Sequence, residues 1–203
     1  MIKAYKESSA ECIALAEIVE KNYQNTELGT KIYLFQGIAK GEKMEWIIQK
    51  CVELGASEII PTEMSHCVVK IEEKKKKSKI QRWQAISESA AKQSKRSIIP
   101  EIGDILPFSL LKEKVNDFDM FIVPYENERG MKATKETLDK IKSGMKIGIL
   151  IGPEGGFEEK EIEAMLAAGA VPLSLGSRIL RTETAAITAV GMCMLHIEMN
   201  VKE

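Results

Sequence analysis

Ile147-Gly148-Ile149-Leu150-Ile151-Gly152-Pro153-Glu154-Gly155-Gly156-Phe157 decides how the rest of this chain is read. The first five residues form an unbroken apolar run, as expected of a strand buried on both faces. Gly-Pro-Glu-Gly-Gly then forces a turn, and Glu158, Glu159 and Glu161 open a helix whose N-terminal dipole favours acids. Working outward, strands are predicted at Lys31–Gln36, Glu58–Pro61, Asp119–Pro124 and Val171–Leu175, with a strand or short helix at residues 10–20. Helical spacing predicts helices at Glu42–Leu54, Ser78–Ser94, Thr134–Ile141, Glu158–Ala168 and Glu183–Met199. Strands that alternate with helices and read as continuous apolar runs define an α/β fold around a parallel sheet.

In such sheets ligands bind beyond the carboxyl ends of the strands, where the Gly152–Phe157 turn falls. A phosphate loop is one reading, but no Lys-Ser/Thr follows the glycines and three acids crowd the helix start. A sulfonium or adenosine-type ligand suits a glycine-lined acidic pocket better, and a plain structural turn is the competing account. A second strand-to-turn segment follows at Val171-Pro172-Leu173-Ser174-Leu175-Gly176-Ser177-Arg178-Ile179-Leu180-Arg181-Thr182-Glu183. Thr182 is placed to cap the last helix and Glu183 to complement its dipole. Arg178 and Arg181 oppose that dipole, so they are expected to bind an anion, either an RNA phosphate or a ligand carboxylate.

The 203 residues suit one main domain, and 44% hydrophobic with 29% charged residues is too apolar for disorder. No apolar run approaches a membrane span and the N-terminus lacks an apolar signal region, so a cytoplasmic protein is expected. Cys12, Cys51, Cys67 and Cys193 form no paired motif and read as reduced, buried thiols; with only His66 and His196 besides, no metal site is expected. The net charge of −1 hides a block between Lys70 and Arg96, where ten cations face three acids, giving +7 against −8 elsewhere. Such a block is the electrostatic footprint of a polyanion site. Lys74–Lys77 alone read as a solvated lysine loop. Trp83 reads equally as a stacking platform or as a core anchor.

IGPEGGFEEKEI (151–162) and LGSRILRTETAAI (175–187), in this order, resemble the bacterial ribosomal-RNA uridine-N3 methyltransferases of the SPOUT superfamily. The resemblance extends through KGEKMEWIIQKCVELGASEIIP (40–61), RWQAISESAAKQSKRSIIPEI (82–102) and VPYENE (123–128). It implies a trefoil-knotted α/β methyltransferase domain over residues 29–203, preceded at 1–28 by the remnant of a PUA-like β-barrel. It also implies S-adenosyl-L-methionine as cofactor, small-subunit (16S) ribosomal RNA as substrate and a homodimer. The cofactor would lie against Leu150, Gly152, Leu173, Leu175, Gly176, Ile179, Leu180, Arg181 and Tyr125, with Glu126 beside it. Arg181, with Glu183 or Glu154 as base, is the catalytic expectation. Lys70, Arg82, Lys92, Arg96 and Arg178 are the RNA-binding expectation. Family members usually carry Arg in the stretch where this chain has His66. A non-catalytic RNA-binding protein that keeps the same fold is the alternative reading.

The last helix, 185–197, is apolar nearly all round, which suits either a buried core helix or an interface between two copies.

Overall fold

The computed structural model describes residues 2–7, 12–16, 26–125 and 130–200. At the N-terminus β1 (Ile2–Glu7) and β2 (Cys12–Ala16) pair antiparallel. The main body follows as β3 (Lys31–Gly37), α1 (Glu42–Glu53), β4 (Ala56–Glu63), α2 (Glu73–Gln93), β5 (Glu101–Ile102), β6 (Leu106–Pro107) and α3 (Phe108–Lys114). It continues as β7 (Met120–Pro124), α4 (Gly130–Leu138), β8 (Lys146–Ile151), α5 (Glu159–Ala167), β9 (Val171–Leu173) and α6 (Thr182–Asn200). The strands β5-β4-β3-β8-β7-β9 form a parallel sheet, with β6 also paired to β4.

Strand β8 enters between β3 and β7, with Leu34 and Ile122 both in register with Ile149. Pro172, which cannot donate to a ladder, is tolerated because β9 is an edge strand. Alternation along each strand splits the core into two layers. Leu34, Ile149, Met44, Ile48, Val190 and Cys193 belong to one, which joins the sheet to α1 and α6. Phe35, Phe121, Leu150, Leu111 and Met165 belong to the other, under α3 and α5. Phe118 closes that second layer with edge-on contacts to Tyr33, Phe35 and Phe121.

Several expectations change. Helix α2 begins at Glu73, so Lys74–Lys77 form its first turns and are not a loop. Trp83 is 3% exposed and packed in the first layer, a core anchor and not a stacking platform. The short elements β5, β6 and α3 are too brief to carry a periodic signal and add to the predicted set. Cys51 and Cys193 are fully buried, and burial pushes the Cys193 thiol up to about 12, whereas Cys67 is only half-buried. The side chain of Cys12 and half of 1–28 lie outside the described residues, as does Glu126. Among the described residues, no helix is long and apolar enough to cross a membrane.

Candidate active site

The carboxyl ends of β7, β8 and β9 open into a cleft of about 590 Å³. Its walls are Pro124 and Tyr125, the turn from Ile151 to Phe157, the loop from Ser174 to Arg181, Glu183 at the start of α6, and Lys43 from α1. The two glycine turns, separated in sequence by α5 and β9, thus meet over one space.

The first turn is braced from several sides. Gly156 N–H donates to Pro153 O (3.0 Å), closing the turn. Glu154 Oε1 accepts from Lys40 N–H (2.9 Å) and Lys43 Nζ (3.3 Å), tying the turn to the start of α1. Burial pushes the Glu154 carboxyl up, but the hydrogen bonds from Lys40, its own backbone and Lys43 outweigh it and hold the group below the usual range. A Cβ at Gly155 would come within 2.8 Å of His66 Cβ and 2.9 Å of His66 O, so only glycine fits. His66 Nδ1 lies 3.1 Å from Gly155 O, which fits an Nδ1–H donor, so His66 braces the turn. Glu158 and Glu161 form a reciprocal capping box, and buried Glu161 also accepts from Ser65 N–H at 2.8 Å.

The second loop is anchored at its ends. Thr134 of α4 exchanges two hydrogen bonds with the backbone of Ser174, each 3.0 Å. Gly176 sits at φ +107°, a conformation side chains rarely adopt, and an added Cβ there would meet nothing within 4 Å. Among the described residues, the backbone N–H groups of Ile179, Leu180 and Arg181 have no hydrogen-bond partner. Ile179 is 83% exposed.

Thr182 does not cap α6 as expected; it is the first helical residue, and its hydroxyl donates to Gly152 O (2.6 Å). Thr182 Oγ1 in turn accepts from the amide Nε2 of Gln36 (3.0 Å), fully buried at the end of β3. Gln36 thus joins β3, β8 and α6 behind the cleft. Its signal was a polar residue closing an apolar strand. Lys43 was also missed, although a lysine in the first turn of a helix opposes the dipole.

The cleft therefore gathers Tyr125, Gly152, Glu154, Leu175, Gly176, Arg178, Ile179, Leu180, Arg181 and Glu183. Leu150 and Leu173, expected on its wall, are 0% and 1% exposed in the core beneath it; the neighbouring Ile151 takes the wall position. Glu154 is committed to Lys40 and Lys43. Glu183 Oε2 is buried with no hydrogen-bond partner, as is Glu154 Oε2. Arg96, expected at an anion, is instead a core strut: its side chain is 5% exposed and paired with Glu27. It also donates to Val52 O (3.1 Å) and to Ala56 O, fixing the end of α1 against β4. Arg82 pairs with Glu45 (2.8 Å) and Lys92 with Glu88 (2.7 Å); neither they nor exposed Lys70 line the cleft.

Where Tyr125, Leu175, Gly176 and Leu180 wall the cleft, the unpaired backbone donors of the second loop fit a neutral purine. Its volume lies in the range of small-molecule sites. Fold and cleft together mark an α/β methyltransferase, and residues 26–194 match the RNA methyltransferase domain family. The chain is 39% identical over 185 residues to ribosomal RNA small subunit methyltransferase E of Bacillus subtilis, covering 90% of this chain and 72% of that protein. The protein of the same name from Mesomycoplasma hyopneumoniae is 35% identical over 179 residues, covering 88% and 76%. The crystal structure of the Neisseria gonorrhoeae protein of that name, bound to S-adenosyl methionine, superposes with a TM-score of 0.73 at 30% identity, covering 84% and 68%. A Legionella pneumophila methyltransferase structure with the same cofactor gives 0.73 at 36% identity, also covering 84% and 68%. The chain belongs to the ribosomal RNA small subunit methyltransferase E family.

Proposed function

We infer that this protein transfers a methyl group from S-adenosyl-L-methionine to N3 of a uridine in small-subunit ribosomal RNA. The observation that carries the reading is the convergence of both glycine turns on one cleft whose second loop offers unpaired backbone N–H groups. When bound, the cofactor supplies a methyl group already activated for displacement. Ile179, Leu180 and Arg181 would hold its adenine through the backbone, with Tyr125, Leu175 and Gly176 as the wall and Gly152 on the first turn.

The chain's own residues manage position and one proton. A paired uridine hides N3, so the target is unpaired or flipped out. Glu183 receives the N3 proton, because its buried Oε2 is uncommitted whereas Glu154 is held ionised by its donors. Arg178 and Arg181, both exposed on the rim, hold RNA phosphates. Lys70, Arg82 and Lys92 add salt-sensitive contacts outside the cleft.

The resemblance also supports a trefoil knot through these loops, a PUA-like remnant at 1–28, and a cytoplasmic homodimer. Helix α6 suits the dimer: Ala186, Val190 and Cys193 are buried inward, while Leu195 and Met199 are 51% and 71% exposed. The test is methyl transfer from labelled cofactor to small-subunit RNA or assembled subunits, with N3-methyluridine identified by mass spectrometry. Methyl incorporation at another atom, or none with cofactor bound, overturns the assignment.

A further inference from the structure

A cation in the first turn of a helix works against the helix dipole, and Glu42 and Glu45 are what α1 would be expected to carry there. Lys43 stands between them. Its side chain is 40% exposed and lines the cleft, and Nζ is held 3.3 Å from Glu154 Oε1. Glu154 is itself fixed by Lys40 N–H at 2.9 Å, so the ammonium has a defined seat. An ammonium has three N–H donors and Glu154 takes one of them.

The seat lies at the β3–β8 end of the cleft, because α1 follows β3 and Glu154 follows β8. Glu183 is brought to the same end by its neighbour Thr182, whose hydroxyl bridges Gln36 at the end of β3 and Gly152 after β8. Tyr125 and Gly176 come instead from the β7–β9 end. The proton acceptor and the seated ammonium therefore share one half of the cleft, opposite the half suited to the purine.

We propose that Lys43 donates to a uracil carbonyl oxygen beside N3 and stabilises the negative charge that develops there as N3 gives up its proton on the way to methylation. This rests on the uridine-N3 reading above. The N3–H bond breaks and its proton goes to the Glu183 carboxylate. The N3 electron pair forms the new bond to the methyl carbon, and the carbon–sulfur bond breaks with its electrons left on sulfur. Charge spreads from N3 onto the two flanking carbonyl oxygens, and a preorganised donor at one of them lowers the barrier. Arg178 and Arg181 are exposed on the outer loop and serve the phosphates.

The experiment compares wild type, Lys43→Met and Lys43→Arg on RNA carrying uridine or 5-fluorouridine at the target. Fluorine makes N3–H more acidic and so reduces the need for a stabilising cation. Lys43→Met is expected to lower kcat on uridine about 100-fold, as loss of one such donor does. Cofactor affinity by calorimetry stays within about twofold, the rate rises toward higher pH, and 5-fluorouridine restores most of the loss. Lys43→Arg recovers part of the rate. An equal loss on both substrates, or weakened cofactor binding, overturns the proposal. If wild type binds cofactor yet makes no N3-methyluridine, the reaction assignment falls, and the proposal with it.

Discussion

The two glycine turns look alike in sequence, each following an apolar strand and preceding a helix, yet the fold treats them in opposite ways. Gly152–Phe157 is held by Lys40, Lys43, His66 and Thr182, and Ser65 holds Glu161 of the helix that follows, so its shape is fixed by the protein alone. Ser174–Arg181 is secured where Thr134 meets Ser174 and where α6 begins, and between those points its backbone donors are unused among the described residues. One turn is scaffold. The other leaves backbone donors for the proposed cofactor.

The sharpest way to break this contrast is to place the same residue in both turns. Gly155→Val drives a branched side chain into His66 and is expected to cost about 3 kcal/mol of stability, read as a lowered urea midpoint. A midpoint like wild type would show that the first turn yields. Gly176→Val meets open space, so its stability cost is smaller, about 1 kcal/mol for the left-handed backbone. Its cofactor affinity should nevertheless fall about 100-fold, or about 2.7 kcal/mol, by calorimetry. A folded Gly176→Val protein with unchanged affinity would remove the second loop from the site.

The smallest effect is that of acid. Glu154 has its carboxyl held low, so the stability it lends is complete above the ordinary carboxylate range and is lost as pH falls through the lowered folded value. Melting temperatures of wild type and Glu154→Gln should therefore differ at neutral pH and converge in acid. A constant difference would mean that the Lys40 and Lys43 contacts do not depend on the charge.

The fold is legible because strand and helix periods dominate it: among the described residues, five of the seven strands of the parallel sheet and five of the six α-helices coincide with predicted segments to within about five residues, and β5, β6 and α3 do not. Both turns were legible as well, since glycines after apolar strands advertise a ligand position. What escaped was set by tertiary packing. Arg96 reads as an RNA contact inside a basic block, yet chain reversal after α2 carries it back under Glu27 and the end of α1. Leu150 and Ile151 are adjacent, and only the strand's register decides which one meets the cleft. Gln36 and Thr182 are ordinary polar residues until the sheet brings them together. Lys43 broke a local rule, and that conflict was the one available sign of its place in the site.

The bridge from Gln36 through Thr182 to Gly152 joins residues up to 146 positions apart. Its second half belongs to α6, so the back wall of the cleft cannot close until that helix has docked. Contacts of such sequence separation form late in folding, because the intervening loop must first be ordered. A chain emerging during synthesis would thus acquire its sheet first and its cofactor site last. Competence to bind therefore waits on the docking of a single helix.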